Sequence, residues 1–148
     1  MNDHNFTILL ADDDPDDRMF FEDAFDELLV TATLHMVPNG FELMKYLERH
    51  IDRLPNVIFL DLNMPSKSGS ECLSEIKNHE MFNQIPVIIY STSANADVME
   101  SLYDMGALYY VRKEGDFSNL KSIIGKALSL CALNSEAQPL RKDFLIML

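Results

Sequence analysis

Phe6-Thr7-Ile8-Leu9-Leu10-Ala11-Asp12-Asp13-Asp14-Pro15-Asp16-Asp17 is the stretch on which the fold turns. Its apolar half reads as a short buried strand, and its polar half masses carboxylates at that strand's C-terminal end. A charge run alone is usually a solvated face; its position directly after a strand gives it another meaning. Asp14 or Pro15 can open a helix, since Pro is favoured at the first helical position. Phe21, Ala24, Phe25 and Leu28 then fall at helical spacing and supply an apolar face.

The same unit recurs in form along the chain. Further strands are expected at residues 33–37, 57–60, 86–90 and 108–111. Asn39 can cap a helix in which Leu43, Met44 and Leu47 face inward. A loop with Pro65 and Gly69 leads to a helix carrying Cys72, Leu73 and Ile76. A short helix is expected at residues 97–104. The last helix has the clearest period, through Leu120, Ile123, Ile124, Ala127, Leu128 and Cys131. Five strands alternating with five helices predict an α/β fold, with a doubly wound parallel sheet covered on both faces and right-handed crossovers. Residues 1–131 read as one domain and residues 132–148 as a tail, with no effector domain expected. Pro139 breaks any helix there, and Phe144-Leu145-Ile146-Met147-Leu148 is apolar, suited to pack on the body or to form a subunit contact, as in a homodimer.

Composition narrows the class. The 148 residues are 47% hydrophobic and 24% charged, which is globular and argues against disorder. Twelve basic against 24 acidic residues give a net charge of −12, so such a surface repels phosphate backbones and anionic membranes. Neither a membrane-spanning run nor a signal peptide is visible. Cys72 and Cys131 cannot form a disulfide framework, and the chain reads as cytoplasmic. The four His share no metal-ligand spacing.

In open parallel sheets, ligands gather outside the C-terminal ends of the strands. The first strand delivers Asp12 and Asp13 there, the third Asp61, the fourth Ser91 and the fifth Lys113. Three packed carboxylates repel one another unless a cation sits among them. Mg²⁺ suits that need, and a carboxylate beside it can act as a nucleophile toward phosphorus. A Lys and a hydroxyl are suitable clamps for the transferring phosphoryl oxygens.

The segments from Ile8 to Pro15, from Ile58 to Pro65 with Gly69, from Pro86 to Ser93 and from Gly106 to Lys113 together resemble the response-regulator receiver domain of two-component signalling. The likeness covers roughly residues 5–131. Its Asp-Pro-Asp-Asp and Asp-Leu-Asn-Met-Pro stretches are most similar to small stand-alone receivers, including those paired with bacterial phytochromes. The resemblance implies a flavodoxin-like fold with five strands in the order 2-1-3-4-5. It implies Asp61 as phosphoacceptor, with Mg²⁺ held by Asp12, Asp13, Asp61 and the backbone carbonyl of Asn63. Lys113 would pair with the phosphoryl group, Ser91 would be the switch hydroxyl and Tyr110 the aromatic that follows it. Asn63 and Ser93 would occupy the positions that tune dephosphorylation. A sensor histidine kinase or His-phosphotransfer protein would donate the phosphate. Output would pass to a partner protein at the face of the fourth helix, fifth strand and fifth helix.

The chain also departs from that pattern. Glu114-Gly115 follows Lys113 where the family usually has Pro, which predicts a trans Lys113–Glu114 bond and a rerouted loop. The switch residue is Ser rather than the commoner Thr. Two other classes compete: a Mg²⁺-dependent phosphohydrolase, disfavoured because Asp61-Leu62-Asn63 lacks the second Asp, and a degenerate receiver used as an unphosphorylated scaffold, disfavoured by the intact acidic set and Lys113. The expected protein is a phosphoacceptor rather than an enzyme.

Overall fold

The computed structural model describes residues 6–93, 95–113, 115–133 and 138–146. Five strands, β1 (Phe6–Ala11), β2 (Ala32–Val37), β3 (Val57–Leu60), β4 (Val87–Ser91) and β5 (Tyr109–Arg112), alternate with five helices. The helices are α1 (Pro15–Asp26), α2 (Gly40–Arg49), α3 (Gly69–Lys77), α4 (Ala96–Asp104) and α5 (Phe117–Leu133). A further strand, β6 (Leu145–Ile146), joins them; all strand pairs are parallel, and the order is β2-β1-β3-β4-β5-β6.

The sheet therefore has six strands, where five were expected. The sixth, β6 (Leu145–Ile146), is two residues long and too short to show a period in sequence. It forms because the outer edge of β5 offers unpaired backbone groups, and Tyr110 N–H donates to the carbonyl of Phe144 at 3.0 Å. Leu145 packs toward one face of the sheet and Ile146 toward the other. Of the two roles left open for the tail, its described part packs on the body. α5 itself runs on to Leu133, past the expected end of the domain.

Alternation along each strand divides the core in two. Leu9, Ala11, Ile58, Leu60 and Ile89 face a layer built by α2, α3 and α4. Ile8, Leu10, Val57, Phe59 and Ile88 face α1 and α5. Burial on both faces is why these strands are almost wholly apolar. Helix starts are set by local chemistry at the C-terminal edge of the sheet. Asp14 caps α1, with Pro15 at its first position, and accepts from the amides of Asp16 and Asp17. Ser68 and Glu71 form a reciprocal capping box at α3. Register carries the ladder to the site: Ala11 pairs with Leu60, and Asp61 N–H donates to Ala11 O at 3.0 Å. Asp12 and Asp61 thus leave adjacent strands at the same level.

Candidate functional site

Asp12, Asp13 and Asp61 converge at that edge, with one carboxylate oxygen from each lying within 4.8 Å of the others. Asp12 is fully buried and Asp61 nearly so, at 3% exposure. Lys113, next after β5, brings its ammonium 2.9 Å from Asp12 Oδ2, 2.8 Å from Asp17 Oδ2 and 3.4 Å from Asp61 Oδ2. Hydrogen bonds fix the carboxylates further. Asp14 N–H donates to Asp12 Oδ1, and Asn63 N–H to Asp61 Oδ1. Arg18 Nη1 donates to the Asp12 carbonyl at 2.7 Å.

Burial is the leading influence on Asp61 and pushes its carboxyl up to about 6; Lys113 opposes this, and the charge of Asp12 adds to it. Burial alone would lower Lys113, but its carboxylate neighbours Asp17, Asp12 and Asp61 outweigh it and raise its pKa above the ordinary lysine value. The site therefore strains to hold its negative charge with one ammonium.

Asp12 Oδ2 tests whether a metal fits. It is buried and receives no aligned hydrogen bond, and the Lys113 ammonium 2.9 Å away is a charge contact it shares with Asp17 and Asp61. One shared ammonium offsets only part of the charge of these carboxylates, and a further cation would offset the rest. The donor set is all oxygen, which suits a hard divalent cation. Asp12, Asp13 and Asp61 are thus fit to hold one.

Ser91 and Tyr110, the expected switch pair, are connected through backbone. Ser91, at the end of β4, is fully buried, and its Oγ accepts from Ser93 N–H at 3.2 Å. Tyr110, fully buried on β5, donates its hydroxyl to the Ser93 carbonyl at 2.7 Å. Lys113 N–H donates to Ser91 O. Ser91, Ser93, Tyr110 and Lys113 therefore form one bonded unit. Asn63 meets Asp61 through its N–H, at 3.3 Å from Asp61 Oδ1. The expected Lys113–Glu114 geometry lies outside the described residues.

Three site residues escaped the sequence reading. Asp17 was counted only in the charge run; its place in the first turn of a helix starting beside the site was the available signal. Tyr90 reads only as the last residue of the fourth strand; it is buried, and its ring centre lies 5.2 Å from the Lys113 ammonium. Nothing in Val87-Ile88-Ile89-Tyr90 distinguishes it. Arg18, the one basic side chain near the run, steadies the Asp12 backbone. Gly69 has a spatial reason: a Cβ there would stand 2.3 Å from the Asp61 carbonyl oxygen and 2.8 Å from Leu62 Cα. Its N–H donates to Leu62 O, which seats the start of α3 on the backbone of Asp61.

The family model described as the response regulator receiver domain matches residues 8–125. The probable methanogenesis regulatory protein FilR2 of Methanothrix harundinacea is 32% identical over 122 residues, covering 80% of this chain and 79% of that protein. The response regulator Rcp1 of Synechocystis is 29% identical, covering 79% of this chain and 82% of its own. Among solved structures, the phosphorylated cyanobacterial phytochrome response regulator RcpA superposes with a TM-score of 0.77 at 31% identity, covering 92% of this chain and 99% of that one. The manganese-bound form of Rcp1 superposes at 0.74 and 27%, covering 90% and 98%.

Proposed function

The chain belongs to the response regulator receiver domain family, and from that premise we propose that it accepts a phosphoryl group on Asp61 and signals by changing its surface. The observation that carries this is the convergence on Asp61: a buried carboxylate with the Lys113 ammonium at 3.4 Å and two further carboxylates within metal-sharing distance. An Asp61 oxygen attacks phosphorus as the bond to the donor's leaving group breaks, whether that group is a histidine imidazole or acetate. Burial keeps water away from Asp61 and strengthens every charge contact there. Lys113 faces the oxygens of the incoming group, and Ser91 offers it a hydroxyl.

Mg²⁺ would be held by Asp12, Asp13, Asp61 and the Asn63 carbonyl, and when bound it supplies charge neutralisation for the phosphoryl oxygens. That Rcp1 has a manganese-bound form supports a divalent ion for this chain. The donor would be a sensor histidine kinase or a His-phosphotransfer protein, and the readout a protein partner at α4, β5 and α5. Action in the cytoplasm is part of this reading; no described helix is long and apolar enough to cross a membrane. The chain would make no turnover product beyond its own phosphorylation and dephosphorylation.

Incubation with Mg²⁺ and acetyl phosphate tests this. Intact mass should rise by one phosphoryl group, about 80 Da, and Asp61→Asn should not gain it. Stoichiometric labelling of Asp61→Asn would overturn the assignment.

A further inference from the structure

The Lys113 side chain is enclosed on several sides by groups of different chemistry. Its own N–H donates to Ser91 O at 2.8 Å, which fixes the backbone it springs from. Tyr90, 2% exposed, lies beneath the ammonium, with its ring centre 5.2 Å from Nζ. That ring is wedged in the core. Tyr90 meets Phe21 edge to face at 5.4 Å between ring centres, and Phe21 meets Phe59 in the same way at 5.1 Å.

Asp17 closes the outer side. Its Oδ2 accepts from Nζ at 2.8 Å, nearer than Asp12 at 2.9 Å or Asp61 at 3.4 Å. The start of α1 brings it there. Asp17 stands in the first turn, where a carboxylate suits the helix dipole, and its N–H donates to the capping Asp14 Oδ1 at 3.3 Å. Among the described residues, the carboxylates close enough to share a metal are Asp12, Asp13 and Asp61; Asp17 is not one of them. Its business is therefore with the lysine. An ammonium has three N–H donors. Asp17 and Asp12 draw two of them sideways over the ring, and the remaining direction is toward Asp61. A loose lysine samples many rotamers, and ordering it during the reaction slows that reaction.

We propose that Asp17 and Tyr90 are positioning residues: together they hold the Lys113 ammonium toward Asp61, ready for the oxygens of an incoming phosphoryl group, and Asp17 stays bonded to Lys113 when Asp61 is loaded. The proposal deepens the reading of Asp61 as phosphoacceptor and rests on it. Asp17 acts as a hydrogen-bond acceptor, so an uncharged acceptor of the same shape serves in its place. Tyr90 acts through its ring face, which attracts a cation with or without the hydroxyl. The Asp17 carboxylate is partly open to solvent, where an ion pair contributes little to stability; its effect falls on rate.

Three measurements on the full chain test this: the rate of labelling by acetyl phosphate with Mg²⁺, the melting temperature, and the Lys113 ammonium signal in ¹⁵N NMR, identified by its loss in Lys113→Ala. Asp17→Ala should slow labelling about tenfold at a nearly native melting temperature. Its ammonium should exchange with water too fast to be seen. Asp17→Asn should restore both the rate and the signal. Tyr90→Phe should behave as the native chain, whereas Tyr90→Leu should slow labelling and shift the ammonium signal. Native labelling and an unchanged signal in Asp17→Ala would overturn the proposal. Faster labelling would overturn it too, making Asp17 a competitor for the lysine, as would a beryllofluoride-loaded structure with Lys113 withdrawn from Asp17. A loss in Asp17→Asn as deep as in Asp17→Ala, or one that follows a fall in melting temperature, would also overturn it. If Tyr90→Leu does not fold, the Lys113 ε-methylene shift of the native chain decides the ring's part: displacement by the ring current supports it, and an ordinary value overturns it. If the native chain takes no label, the phosphoacceptor reading falls instead, and the ammonium signals of Asp17→Ala and Asp17→Asn still decide whether Asp17 holds Lys113.

Discussion

The ammonium of Lys113 is held 2.8 Å from Asp17 Oδ2, closer than it stands to Asp61. Asp17 is the most exposed of its three partners, with 39% of its side chain open to solvent, whereas Asp12 and Asp61 are buried. The nearest partner is therefore not the one that matters most for stability. Asp17→Asn should cost less than about 1 kcal/mol and leave phosphorylation intact. Lys113→Ala leaves two buried carboxylates without their cation and should cost about 3 kcal/mol in chelator. Urea unfolding of both variants checks this, and equal costs would refute it.

A divalent cation should stabilise the native chain through the same carboxylates. At a hundred times its dissociation constant, a metal that binds only the folded state adds about 2.7 kcal/mol. The melting temperature should rise with Mg²⁺ or Mn²⁺ and fall back with chelator. Asp12→Asn removes the buried oxygen that lacks a donor, and should lose most of the metal-dependent rise while gaining stability in its absence.

Gly69→Ala should be severe for lack of space. The added Cβ would meet backbone atoms of Asp61 and Leu62, which cannot swing aside as a side chain would. A loss of about 2–3 kcal/mol is expected, with phosphorylation slowed because the Asp61 backbone must shift. Wild-type stability in thermal melts of this variant would show that the close approach is not real.

Ser91→Ala and Tyr110→Phe separate acceptance from transmission. Tyr110→Phe removes the hydrogen bond to Ser93 O, worth about 1 kcal/mol. Both variants should still take up phosphate. Ser91→Ala should leave Tyr110 in the same rotamer with and without beryllofluoride, whereas the native chain reorients it. Tyr110 in one rotamer with and without beryllofluoride in the native chain would count against the switch.

The thiols should be silent in the folded state. Burial pushes Cys72 and Cys131 up to about 11 from the ordinary 9. At pH 8 both should resist a thiol-specific disulfide reagent until the chain is unfolded in denaturant, when both react. The raised values favour the neutral thiol in the fold. Their contribution is complete below about pH 9 and is lost as pH climbs toward 11. Rapid labelling of the native chain at pH 8 would contradict the burial.

The fold class and the convergence of Asp12, Asp13, Asp61, Ser91 and Lys113 were legible because both rest on local, repeated rules. Apolar runs mark the strands, periodic faces mark the helices, and a parallel sheet must bring its strand ends to one edge. Gly69 was visible as part of a motif, but its reason, the 2.3 Å approach to the Asp61 carbonyl, exists only once α3 is laid on β3.

The amino-acid sequence by itself determined which residues could do chemistry and that one edge of one sheet would collect them. Tertiary structure alone decided their mutual distances, and with them the charge balance: Asp17 on Lys113, Tyr90 beneath that ammonium, and Asp12 Oδ2 left without a donor. It alone decided the fate of residues 138–146. A two-residue strand has no period of its own to read; its pairing depends on the edge that β5 leaves open and on the hollow that Tyr103 and Tyr110 offer Phe144. Local preference is written along the chain, whereas contacts between segments far apart in sequence come into being only when the core closes.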